Sequence, residues 1–116
     1  MGAVYRGHQV GLERPVAIKI LPPNLAAEAE FRDRFLLEAQ KLAQLTHANI
    51  VQIFDFGNEA GHTYMAMQLV DGENLQERLA AAGKLGPIEV ARIGLGVARG
   101  LARAHRDGII HRDIKP

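Results

Sequence analysis

The 116-residue sequence contains no cysteine and no tryptophan. Without a thiol there is no disulfide, no thiolate nucleophile and no cysteine-held zinc. A reducing cytoplasm is compatible with that composition. Long apolar runs are missing as well: no stretch approaches the ~18 residues that a membrane span requires. Arg6, Glu13 and Arg14 interrupt the opening segment, so no secretory signal pattern forms there. A membrane anchor elsewhere in a longer gene product is compatible with this. Charge of one sign is scarce too, with 14 Lys and Arg against 13 Asp and Glu and a net charge of +1. That balance supplies no electrostatic basis for binding nucleic acid or an anionic membrane surface. The histidines are His8, His47, His62, His105 and His111, and no two have the helix-face spacing of a metal site. What is present is an ordinary globular composition, 47% hydrophobic, long enough for one small domain.

Residues 3–6 and 16–21 read as strands joined by a turn around Gly11. In the second, Val16, Ile18 and Ile20 point to one face while Ala17, Lys19 and Leu21 point to the other. Pro22 and Pro23 end it, since neither can donate to a ladder. Residues 26–45 have helical periodicity, with Phe31, Phe35, Leu42 and Leu45 on one stripe. Residues 50–56 and 63–70 have strand composition, and 57–62 between them reads as a hairpin loop. The first seventy residues therefore suggest an antiparallel sheet with one helix packed on it.

Asp71-Gly72 marks a break, dividing the chain into substructures at 1–70 and 71–116. Residues 75–82 form a short helix candidate closed by Gly83, and Pro87 opens a long one running to about Arg106. The polar side of the long helix is narrow: Glu89, Arg92, Arg99, Arg103 and Arg106. A helix apolar over so much of its girth requires neighbours on several sides. Only residues 109–116 follow its stop at Asp107-Gly108. Gly94, Gly96 and Gly100 each weaken it by ~1 kcal/mol relative to Ala unless close packing compensates. The expectation is that this chain is a piece of a larger domain.

Two charges stand out. Glu38 falls on the apolar stripe between Phe35 and Leu42, either at the edge of the buried face or paired with a cation. Lys19 sits in an apolar strand beside small Ala17, which leaves room for something flat and anionic. Taken singly, an edge-of-core Glu and a snorkelling Lys explain them as well.

The last residues shift that balance. Ile110-His111-Arg112-Asp113-Ile114-Lys115-Pro116 closely resembles the catalytic loop of Ser/Thr protein kinases, H-R-D-x-K-P. Val16-Ala17-Ile18-Lys19 resembles that family's V-A-I-K strand, and Gly2-Ala3-Val4-Tyr5 the end of its glycine-rich loop. Leu45-Thr46-His47-Ala48-Asn49-Ile50-Val51 resembles its L-x-H-P-N-I-V connector, with Ala48 in place of Pro. The motifs occur in the family's order and cover essentially the whole chain, with a flavour of the bacterial receptor-type branch.

The resemblance implies an α+β, two-lobe protein-kinase-like fold, incomplete: an antiparallel N-lobe sheet with one regulatory helix, plus the first helices of the C-lobe. It implies a kinase that transfers the γ-phosphate of ATP to Ser/Thr hydroxyls of a protein substrate, at a cytoplasmic location. Gly2 would let the backbone approach phosphates, Val4 and Ala17 would sandwich the adenine, and Lys19, aimed by Glu38, would hold the α- and β-phosphates. Met67 resembles the gatekeeper, and Gln68 and Val70 would offer a carbonyl and an amide to the adenine edge. For residues 67–70 a plain buried strand running into a turn is an equal reading. Asp113 resembles the catalytic base and Lys115 the cation that neutralises the transferring phosphoryl group. His111 reads as a packing residue that positions the loop, and Arg112 suggests control by activation-loop phosphorylation. The Mg2+ ligands of the family, an Asn after H-R-D and the Asp of D-F-G, are not in this sequence, so the 116-residue chain alone is expected to be inactive. The alternative is a pseudokinase or kinase-fold scaffold.

Overall fold

The structure, a computed structural model, describes residues 3–116. Four strands form one antiparallel sheet: β1 (Ala3–Gln9), β2 (Arg14–Ile20), β3 (Ile53–Glu59) and β4 (His62–Gln68), in the order β1-β2-β4-β3. The helices are α1 (Pro23–Ala26), α2 (Ala29–Ala43), α3 (Leu75–Ala82) and α4 (Pro87–Arg106). None is long and apolar enough to cross a membrane among the described residues.

Strand β2 alternates as its residues dictate, and cross-strand partners share a face. Lys19 stands opposite Val4 on β1 and Met65 on β4, and Ala17 opposite Arg6 and Met67. Helix α2 covers that same face. Its Ala39, wholly buried, packs with Ile53 and Met65, flanked by Phe35, Leu42, Phe56 and Met67. Ile53 and Phe56 both serve this core although an odd number of positions separates them. A register shift between Ile53 and Asp55 makes it possible, leaving Phe54 as the extra residue of a bulge.

The helix expected over 26–45 begins instead at Ala29, and 23–26 form a separate turn whose Pro23 occupies a favoured first position. Nothing in the local propensities of Ala27 and Glu28 calls for that break. The hairpin loop expected over 57–62 contracts to Ala60-Gly61, because both residues adopt the positive φ of a tight two-residue turn and free 57–59 to pair.

The described chain divides into two compact units. One holds the residues through Thr46 together with Val51–Leu69; the other holds His47–Ile50 and Val70–Pro116. In the second, Asn74 caps α3 in a reciprocal box with Glu77, and Arg78 of α3 pairs with both Glu73 and Glu89. Helix α4 starts at Pro87 and buries only Gly100 and Ala104. Ile88, Val90, Leu95 and Val97 are exposed, so its apolar girth is largely uncovered in this chain.

Candidate functional site

In the first unit the candidate residues come from the sheet face under α2. Val4, Ala17, Lys19 and Met67 all lie on it, placed by the β1-β2-β4 register. Ala17, Lys19 and Met67 are half-buried, whereas Val4 is exposed. The small Ala17 leaves the space beside Lys19 open. Gln68 closes β4, its N–H donating to the Gln52 carbonyl at 2.8 Å. Gly2 lies outside the described residues. The opposite face of the sheet carries a shallow groove lined by Val16, Ile18, Ile20, Tyr64 and Ala66, and none of the described candidate residues borders it.

Glu38 departs from the position its periodicity suggests. It is exposed, and no ion pair joins it to Lys19 among the described residues. The reason is the width of the contact. Ala39, not Glu38, faces the centre of the sheet, and the flanking Phe35 and Leu42 are themselves only half-buried. An exposed carboxylate keeps its hydration and gains little from a surface ion pair, about 0–1 kcal/mol. One turn earlier on the same helix, Arg34 pairs with Glu30 at 2.7 Å. That pairing is encoded by spacing alone, and reading the stripe for apolar residues passes over it.

In the second unit the catalytic-loop candidates are held locally. The N–H of Asp113 donates to His111 Nδ1 at 3.2 Å, and its Oδ2 accepts from Lys115 Nζ at 3.0 Å. Between them Arg112 takes a left-handed backbone conformation, φ 65°, which costs a non-glycine residue roughly 1–2 kcal/mol. His111 is thus a turn-former that accepts from the amide two residues on. His47 does the same for the Asn49 amide, at 3.0 Å. Val70, also of this unit, is exposed. The chemistry available is a carboxylate and an ammonium side by side, able to accept a proton and to neutralise an anion. Among the described residues no group of three or more His, Asp or Glu side chains could hold a metal ion.

Comparison with known proteins agrees with the fold and the motifs. The family described as Protein kinase domain matches residues 1–116. The chain is 41% identical over 113 residues to the serine/threonine-protein kinase PknL of Mycobacterium tuberculosis, covering 97% of this chain and 28% of that protein. It is 43% identical over 116 residues to the serine/threonine-protein kinase PrkC of Bacillus subtilis, covering all of this chain and 18% of that one. It thus spans less than a third of either relative. Among solved structures, the kinase domain of M. tuberculosis PknI superposes with a TM-score of 0.88 at 37% identity, covering 100% of this chain and 47% of that one. The antiparallel sheet and helices described above correspond to the N-lobe and the start of the C-lobe of such a domain. The chain belongs to the protein kinase domain family, among relatives that are bacterial Ser/Thr kinases.

Proposed function

We propose that this chain supplies the nucleotide-binding residues and the catalytic loop of an ATP-dependent protein Ser/Thr kinase. One observation carries the reading. A half-buried Lys19 with no ion-pair partner among the described residues stands beside Ala17, in register with Val4 and Met67 on one sheet face. An ammonium so placed suits an anionic ligand with a flat neighbour.

In this reading the adenine ring lies against Val4 and Ala17, with Met67 beside it and the Gln68 carbonyl and Val70 amide at its edge. Lys19 holds the α- and β-phosphates, and Glu38 aims it once the two side chains meet. Gly2 lets the backbone approach the phosphates. The substrate hydroxyl oxygen bonds to the γ-phosphorus while the bond to the β–γ bridging oxygen breaks, and the hydroxyl proton passes to the Asp113 carboxylate. ADP leaves, and Lys115 neutralises charge on the phosphoryl group in transit. Such a step depends mainly on positioning and charge stabilisation. Mg2+ supplies further neutralisation of the phosphate oxygens in this family. The residues present do not make a site for it, so no step is derived through it.

Calorimetric titration with ATP tests the reading. Lys19→Met is expected to weaken binding at least ~10-fold, the scale of one lost charge-assisted contact. Lys84→Met, at an exposed position between α3 and α4, leaves it unchanged. Equal affinities for wild type and Lys19→Met overturn the assignment. The chain alone is expected to transfer no labelled phosphate to a basic protein substrate, for want of the family's metal ligands. The exposed Glu38, which makes no ion pair with Lys19 among the described residues, favours a second reading, a kinase-fold binding module without transfer. A longer chain carrying D-F-G that binds ATP yet phosphorylates nothing supports it.

A further inference from the structure

Helix α2 carries Glu30, Arg34 and Glu38 in one row, each a helical turn from the next. Arg34 can reach either carboxylate, since side chains four apart on a helix are neighbours. It takes Glu30, with NH2 at 2.7 Å from Oε1. Its guanidinium also lies 5.9 Å from the centroid of the Phe31 ring, on the same N-terminal side. Glu38 is left with no ion pair or hydrogen bond among the described residues.

The choice has a physical cause. A carboxylate four residues before a cation is the better orientation, because it also complements the helix dipole. Glu30 stands before Arg34, whereas Glu38 stands after it. Phe31 adds a cation–π attraction on the same side. Two weak preferences therefore act together to turn Arg34 away from Glu38.

We infer that Glu30 and Phe31 are positioning residues that hold Arg34 toward the start of α2 and keep the Glu38 carboxylate available to Lys19. The functional half of this rests on the reading of Lys19 and Glu38 given above. Without Glu30, Arg34 turns to Glu38 and becomes an intrahelical competitor for it. Lys41, three residues after Glu38, is the other cation on this side and makes no ion pair among the described residues.

The experiment uses the 116-residue chain with 15N-labelled arginine. In the wild type, nuclear Overhauser contacts from the Arg34 side-chain N–H are expected to the Glu30 methylenes and the Phe31 ring. In Glu30→Ala they move to the Glu38 methylenes, and in Glu30→Gln, which keeps side-chain length, they move at least in part. Contacts that stay with Phe31, or that vanish without appearing at Glu38, overturn the inference. Both substitutions are at an exposed position, so the fold is not put at risk. The second readout is ATP affinity. Glu30→Ala is expected to weaken it about 2-fold, the scale of one exposed helical ion pair, and adding Arg34→Ala restores it. Loss without restoration by the second substitution also overturns it. If ATP affinity is indifferent to Lys19 itself, the nucleotide reading fails, while the arginine contacts still decide whether Glu30 holds Arg34 off Glu38. Lys41→Ala, carried in parallel, separates any pull that Lys41 exerts on Glu38.

Discussion

Gly100 stands against the backbone of Asn49: a Cβ built at position 100 would lie 2.9 Å from the Asn49 carbonyl oxygen. Real Cβ atoms avoid that distance, and a backbone oxygen cannot swing aside as the end of a long side chain can. The glycine therefore seats the segment 47–50 on α4, which explains a residue that otherwise weakens a helix by ~1 kcal/mol relative to Ala. A Cβ at Gly94, six residues earlier on α4, would meet nothing within 4 Å among the described residues beyond its own stretch of helix. The two positions should respond with opposite signs. Gly94→Ala is expected to stabilise α4 by up to about 1 kcal/mol. Gly100→Ala is expected to destabilise the seat and to speed exchange of the Ile50 amide, which donates to the His47 carbonyl at 3.1 Å. Native-state amide exchange of both variants decides it. A Gly100→Ala chain with slower Ile50 exchange refutes the account.

Ala60 closes the β3–β4 hairpin with φ 48°, followed by Gly61 at φ 79°. Glu59 and His62 pair directly across them, so this is a two-residue loop. Positive φ at both central positions is the geometry that Asn-Gly and Gly-Gly favour, and Ala is ill suited to it. A left-handed conformation costs an ordinary L-residue roughly 1–2 kcal/mol. Ala60→Asn and Ala60→Gly are both expected to slow amide exchange in β3 and β4, by roughly 1 kcal/mol of added stability. Gly61→Ala is expected to do the reverse. Apart from Gly61 and its two chain neighbours, no atom of the described residues lies within 4 Å of the added methyl group, so its cost is conformational.

Strand β2 and helices α3 and α4 were legible because local signals agree with tertiary placement. Alternation in Val16–Ile20 sets the faces, Gly83 closes α3, and Pro87 opens α4. The bulge at Phe54 was not legible, since a single extra residue leaves no mark in composition and shows only in the partner register. For the same reason the extent of the β3–β4 turn depended on two backbone torsions, not on residue type. The candidate site divides similarly. That Ala17 and Lys19 share a face follows from a period of two. That Glu38 lies outside the contact does not follow from a stripe, because the covering sheet decides how wide a band of α2 is buried. The partner choice of Arg34 was available from spacing but required comparing two carboxylates, not finding one.

Tyr64 on β4 donates its hydroxyl to Asp55 Oδ2 at 3.0 Å, while Asp55 Oδ1 accepts the Phe56 N–H at 2.8 Å. One carboxylate thus ties the bulged strand both to itself and to its neighbour. Partial burial, and then the hydrogen bond and negative charge of Asp55, raise the Tyr64 hydroxyl above its ordinary value of 10.0. A group held protonated in the folded chain contributes stability that is complete below the unfolded value. Between the two values the unfolded chain releases the proton first, so stability falls as pH rises through the folded one. Resistance of the sheet to urea is therefore expected to be level from about pH 8 to near 10 and to decline above it. Tyr64→Phe loses the hydrogen bond, worth no more than about 1 kcal/mol at this partly exposed site, and should remove Tyr64's share of that decline. Absorbance at the tyrosinate band reports the titration directly, with the variant isolating the signal of Tyr5. A Tyr64 that ionises at or below the ordinary value, or a Tyr64→Phe chain whose urea midpoint falls as steeply with pH as the wild type, would show that the tie to Asp55 does not hold in solution.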